Sequence, residues 1–174
     1  MKETLEVINQ MQADGVIGKY AIGGAVGATF YLAPAATVDI DIFVALPMAV
    51  GTSLLSLAPI YHYLKARGGA VEHEHIIIGG WPVQFLAPND RLEEDAVEQA
   101  ITTSVEGEST RVMSAEHLVA IALRTGRPKD HARIVQFVEQ DAVDRKKLRG
   151  ILERHGLISK WTKFESEYLG GSRG

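Results

Sequence analysis

Apolar positions recur at helical spacing near the start of the chain. Leu5, Ile8 and Met11, with Val7 extending the stripe, predict a helix over residues 2 to 13 that Asp14-Gly15 ends. Lys19 to Ile22 is short and apolar and predicts a first strand, followed by the Gly23-Gly24 turn and a helix from Ala25 to Leu32. Pro34 fits the loop after it. Thr37 to Leu46 is rich in β-branched and aromatic residues and predicts a strand. Met48 to Ala66 carries Leu54, Leu55, Leu57, Tyr61 and Leu64, and Pro59 predicts a kink or two shorter helices there.

Gly68-Gly69 breaks the chain. Residues 70 to 78 alternate as one strand, with Glu72 and Glu74 on one face and His73 and His75 on the other. Gly79-Gly80 then turns into a strand from Trp81 to Leu86, making a hairpin. Arg91 to Ala100 is a short acidic helix, and residues 102–105 and 110–113 are brief strands around Glu106-Gly107-Glu108. Ser114 caps a helix to about Thr125, which Gly126 ends. Further helices run from His131 to Gln140 with Pro128 at the start, from Asp144 to His155, and from Leu157 to Tyr168.

Strands therefore gather before residue 113 and helices after it. The expected fold class is α/β (α+β), a mixed sheet flanked by helices. The expected division is a core over 1–113, a helical subdomain over 114–169 and a disordered tail over 170–174.

The chemistry concentrates between Tyr20 and Leu46. Asp39 and Asp41 are two apart in a strand, so they share a face while Ile40 points into apolar surroundings. Two close carboxylates repel unless a cation lies between them. A divalent ion with oxygen ligands, Mg²⁺ or Mn²⁺, meets that need. Gly23 and Gly24, at a strand-to-helix turn, let the backbone approach a ligand, and a helix start favours phosphate. Together these describe a nucleoside triphosphate–metal site.

Ile22-Gly23-Gly24, a spacer over 25–38, and Asp39-Ile40-Asp41-Ile42 resemble the signature of the nucleotidyltransferase superfamily, the polymerase-β-like fold. Pro82-Val83-Gln84-Phe85-Leu86 and Thr125-Gly126-Arg127-Pro128-Lys129-Asp130 are similar to the small bacterial branch that includes AbiEii-type toxins of toxin–antitoxin systems. The resemblance covers residues 15 to 160. It implies a mixed nucleotidyltransferase-like sheet and transfer of a nucleoside monophosphate to an acceptor hydroxyl. The acceptor it implies is an RNA end, a protein or a small molecule, with tRNA or a protein favoured and an antitoxin as partner. It also implies metal on Asp39 and Asp41, nucleotide on Gly23, Gly24, Arg127, Lys129 and Asp130, and Lys129 as a catalytic phosphate contact. Asp130 is alternatively an orienting group for Lys129 or Arg127.

One position departs from the pattern. Gln84 stands where a third carboxylate is expected, and glutamine cannot take a proton. Glu72 or Glu74, on the neighbouring strand, is the candidate substitute. The alternative reading is a weakly active or inactive member of the fold that binds a nucleotide or a partner.

Composition narrows the remaining classes. The 174 residues hold no cysteine, which excludes a disulfide framework and thiolate chemistry. The formal charge of −4 argues against a broad nucleic-acid-coating surface but leaves room for a local basic groove. Arg124, Arg127, Lys129 and Arg133 are the candidates for one, and Arg145-Lys146-Lys147 with Arg149 reads as a solvated face. No apolar run approaches the ~20 residues of a membrane span, and no signal-peptide pattern is present. The expected location is cytoplasmic. His73 and His75 have no third protein ligand at a supporting spacing, which sets zinc aside.

Overall fold

The computed structural model describes residues 1–33, 39–47 and 56–170. Among these, seven strands form one mixed sheet: β1 (Tyr20–Ile22), β2 (Ile40–Val44), β3 (Ala70–Glu72), β4 (His75–Ile78), β5 (Trp81–Leu86), β6 (Ile101–Val105) and β7 (Glu108–Val112). Their order is β3-β4-β5-β2-β1-β7-β6. The helices are α1 (Lys2–Ala13), α2 (Gly24–Ala28), α3 (Ala58–Lys65), α4 (Arg91–Glu98), α5 (Ala115–Thr125), α6 (Pro128–Glu139), α7 (Arg145–Arg154) and α8 (Ile158–Phe164), the last running into a π-helical turn (Glu165–Leu169). None of the described helices is long and apolar enough to cross a membrane.

Strand alternation sorts the sheet into two faces. Ile40, Ile42, Val44, Val83, Phe85, Ile76 and Ile78 point to one, where Leu5, Ile8 and Met11 of α1 and Ile60 and Leu64 of α3 cover them. Ala21 and Phe43 point to the other, into a core shared with Leu92 of α4, Leu118 and Leu123 of α5, Phe137 of α6, Leu152 of α7 and Trp161 of α8. The second core thus joins residues from both sides of position 113. Truncating a fully buried aromatic such as Phe137 to alanine would cost about 3–5 kcal/mol.

Local chemistry explains the helix ends. Asp90 caps α4 by accepting the Glu93 N–H, Ser114 caps α5 by accepting the His117 N–H, and Asp144 caps α7 by accepting from Lys146 and Lys147. Gly126 closes α5 with a left-handed φ of 71°.

Two expectations change. Residues 70 to 78 are two strands, because the chain reverses at His73, whose φ is +56°. The hairpin becomes a three-stranded meander, and Glu72 and Glu74 no longer share a strand face. Glu72 now pairs with His75 on the outermost strand, β3. Pro59 lies in the first turn of α3, where it starts the helix rather than kinking it. α6 begins at Pro128, the expected start. The expected elements over Thr37–Val38 and Met48–Leu55, and most of the expected tail, fall outside the described residues.

Candidate active site

Asp41 sits mid-strand on β2, on the face opposite Ile40 and Ile42. The strand is held by a backbone bond from Gly23 N–H to Asp41 O at 2.9 Å. Gly24 follows with φ +58°, and its bare Cα touches the Asp41 carboxylate. A Cβ there would stand 1.9 Å from Asp41 Oδ2. A Cβ on Gly23 would meet the Phe43 ring at 2.7 Å and Met113 Sδ at 3.2 Å. Close packing thus accounts for both glycines, Gly24 against Asp41 and Gly23 against Phe43 and Met113, whatever else the turn contacts. The α2 helix that follows has only five residues, a short macrodipole for anion binding.

Register sets the neighbours of Asp41. β5 runs parallel to β2 and pairs Gln84 with Asp41. β4 pairs Ile76 with Val83, so the next pair in that register is His75 with Gln84. His75, Gln84 and Asp41 therefore form a row across the sheet, on the face away from Ile76, Val83 and Ile40. Asp39, two residues before Asp41, shares this face, and its Oδ2 lies 3.3 Å from His75 Nε2. Glu72 continues the row beyond His75, three strand spacings or about 14 Å from Asp41. At that separation it does not stand in for a carboxylate beside Asp41.

Burial and the charge of Asp39 push the Asp41 carboxyl above its ordinary value, while His75, Arg133 and Lys129 pull it down. The Asp39–Asp41 pair fits a divalent cation on chemical grounds. It offers two carboxylates on one face, and two close carboxylates favour a cation beside them. Among the described residues, no group of three or more His, Asp or Glu side chains is placed to hold a metal ion.

The pocket over Asp41 has a volume of about 270 Å³. Gly24, Asp41, Phe43 and Gln84 form its sheet side, and Arg124, Arg127, Asp130 and Arg133 come from the end of α5 and the start of α6. Arg127 and Asp130 are locked together. Asp130, 2% exposed, accepts from Arg127 Nε at 2.7 Å, from its terminal nitrogen at 3.1 Å and from its backbone N–H at 3.1 Å. Burial alone would raise the Asp130 carboxyl, but these bonds and charges hold it below the usual range. The structure thus turns Asp130 toward Arg127. Lys129 is exposed on the first turn of α6, and its charge reaches Asp41.

Arg124 lines the same pocket but is already paired. Its guanidinium bonds Asp90 and, at 2.5 Å, Glu93, which is 4% exposed. Its charge is compensated within the fold. Asn89 and Glu93 line the pocket without having been singled out by any motif. A larger pocket of about 640 Å³ lies beyond the ends of β2 and β5, between Leu46, Pro88, Glu94 and Arg154. We place the candidate site in the smaller one, because Asp41 and Gln84 line it.

The fold is that of a nucleotidyltransferase-like protein. The chain is similar over 95% of its length to 91% of an antigenic nucleotidyltransferase-like protein from Paracoccidioides brasiliensis, with a TM-score of 0.55 and 16% identity. It is similar over 97% of both chains to the antibiotic-resistance factor ANT(2'')-Ia, with a TM-score of 0.52 and 15% identity. No family model and no curated protein sequence matches the chain.

Proposed function

We propose that the chain is a metal-dependent nucleotidyltransferase. The observation that carries this reading is the Asp41 carboxylate, seated on Gly24 and facing Arg127 and Arg133 across one pocket. In this reading Asp39 and Asp41 would hold Mg²⁺ or Mn²⁺, which would supply charge stabilisation to the phosphates. Arg127, fixed by Asp130, with Arg133 and Lys129, receives the triphosphate. The acceptor hydroxyl oxygen bonds the α-phosphorus as the bond to pyrophosphate breaks, and the hydroxyl proton leaves to solvent water, since Gln84 takes none.

The motif resemblance favours a macromolecular acceptor, tRNA or a protein, and a place as the toxin of a toxin–antitoxin pair. The antibiotic-resistance neighbour supports a small-molecule hydroxyl as the competing acceptor. Transfer of labelled nucleotide onto RNA, protein and antibiotic panels separates these.

A second reading is favoured by Gln84. It pairs with Asp41 where a proton-accepting carboxylate belongs, and it takes no proton. A chain that binds nucleotide without transferring it fits that feature.

Thermal unfolding with ATP, GTP, CTP and UTP, with and without Mg²⁺, tests both readings. A nucleotide at a hundred times its dissociation constant stabilises by about 2.7 kcal/mol. A metal-dependent shift lost in Asp41→Ala supports the site. Transfer to an acceptor then supports the enzyme, and a shift without transfer supports the binding module. No shift with any nucleotide removes both.

A further inference from the structure

We propose that β6 is a docking edge for a second copy of this chain, the two copies joining their sheets antiparallel about a two-fold axis at Thr103. This association needs no nucleotide and no metal. Among the described residues β6 is the last strand on its side of the sheet, and none of its five residues is buried. Ile101, a large apolar residue, is 46% exposed there. Sheets commonly blunt such edges with charge, proline, bulges or brevity. The opposite edge, β3, is three residues long and carries Glu72. β6 reads Ile-Thr-Thr-Ser-Val, with no charge and no proline, and pairs with β7 without a bulge.

Two independent features centre on the same residue. The first is the direction of the backbone groups. Glu106 and Gly107, with φ of +52° and +86°, form a two-residue turn closed by Val105 and Glu108. That pair, and every second one behind it, exchanges hydrogen bonds within the hairpin: Thr103 with Thr110, and Ile101 with Val112. The N–H and C=O groups of Thr102 and Ser104 therefore point away from β7, off the edge of the sheet. An antiparallel partner strand satisfies all of them when Thr102 faces Ser104 of the second copy, which puts the axis at Thr103.

The second feature is the order of side chains. Read from either end, β6 is a β-branched apolar residue, a hydroxyl residue, threonine, a hydroxyl residue and a β-branched apolar residue. The same axis thus sets Ile101 against Val105, Thr102 against Ser104, and Thr103 against its own copy. Such β-branched and hydroxyl pairs are favourable across strands. No like charges meet along the strand, and the carboxylates at its ends are engaged within each chain. Glu106 accepts the Lys2 N–H at 2.7 Å, and Glu98 pairs with Lys19. Five residues a side falls well below the about 20 of a standard interface, so the dimer is reversible and forms as concentration rises.

The chain has no cysteine, so single-cysteine variants read the register directly. Thr103→Cys places two thiols in a non-hydrogen-bonded pair on the axis, with Cα atoms about 4.5 Å apart, a span a disulfide bridges. Mild oxidation should trap it as a covalent dimer and leave Thr102→Cys, which faces Ser104, and Val71→Cys on β3 as monomers. Sedimentation velocity of the wild type from roughly 1 μM to 1 mM should follow a monomer–dimer equilibrium. Ser104→Pro removes an outward N–H and spares the bonds to β7, so it should keep the wild-type circular dichroism and stay monomeric. A wild type that stays monomeric throughout that range leaves the edge to a strand of another protein and overturns the proposal. A dimer that Thr103→Cys does not trap, or that Ser104→Pro leaves intact, overturns it too.

Discussion

Gly24 has no room for a side chain because the carboxylate of Asp41 occupies the place its Cβ would take, 1.9 Å from Oδ2. Gly24→Ala therefore carries two costs. The left-handed φ of +58° strains any L side chain by about 1–2 kcal/mol, and Asp41 must move. The expected outcome is a lower Tm together with loss of nucleotide-dependent stabilisation. Gly15→Ala, at φ +73° with nothing within 4 Å, isolates the strain alone and leaves nucleotide binding unchanged. Thermal scans of both variants with ATP and Mg²⁺ check this. Equal behaviour of the two would show that the Asp41 contact is unimportant.

Arg124 acts on stability. Arg124→Met leaves the carboxylate of Glu93, 4% exposed, without its guanidinium partner, although the Asn89 N–H still donates to it. The expected loss is on the order of 2 kcal/mol. Urea unfolding measures it. Nucleotide affinity of the folded variant should change less than in Arg127→Met.

Asp130 joins helix capping to the pocket. Asp130→Ala removes the bond to the Arg127 N–H and frees the guanidinium, with an expected loss of about 1–2 kcal/mol from the cap. Asp130→Asn keeps an acceptor for the backbone and removes the ion pair. If Arg127 is held for a phosphate, the asparagine variant retains most stability and binds nucleotide more weakly. Calorimetric titration with ATP and Mg²⁺, set beside urea unfolding, separates the two effects.

Acid should destabilise the chain through His117. Its Nδ1 lies 2.8 Å from Ser114 Oγ and its Nε2 lies 3.4 Å from Asp95 Oδ2, an arrangement that a neutral ring satisfies. Burial lowers its pKa below 6.5, against the opposing pull of Asp95. The unfolded chain thus takes up the proton first, and stability is full above about pH 6.5 and declines below it. Asp95 adds a second decline at lower pH. Burial raises its carboxyl, but hydrogen bonds from His155, His117 and Gln99 and the charge of Arg154 hold it below 3.8, so its contribution is lost as pH falls through the acid range beneath that value. Urea midpoints from pH 8 to pH 5 should fall in the wild type and flatten in His117→Gln. An unchanged slope in the variant would remove His117 from this role.

The face shared by Asp39 and Asp41 was legible in the sequence, because strand alternation is a local rule and Ile40, Ile42 and Val44 mark the buried side. The strand-to-helix turn at Gly23-Gly24 was legible because two glycines directly follow a short apolar run. The contact between His75 and Asp39 was not. It depends on a turn at His73, where a non-glycine residue takes positive φ without a glycine or proline to announce it, and on a register running across β5. The grip of Asp130 on Arg127 had a local signal, an acidic residue at the third position of a helix beginning at Pro128. Of the two partners that signal leaves open, Lys129 and Arg127, the fold selects Arg127.

The core that joins Phe43 and Leu92 to Phe137 and Trp161 has a consequence for how the chain comes apart. A helical appendage resting on the sheet would melt by itself, but one interleaved with Ala21 and Phe43 has no seam along which to detach. Trp81 on β5 and Trp161 on α8 are the two tryptophans, one on each side of residue 113. Single-tryptophan variants reporting from each should lose their native emission at one shared denaturant concentration, so that a cut after residue 113 yields two insoluble fragments instead of two smaller folded proteins.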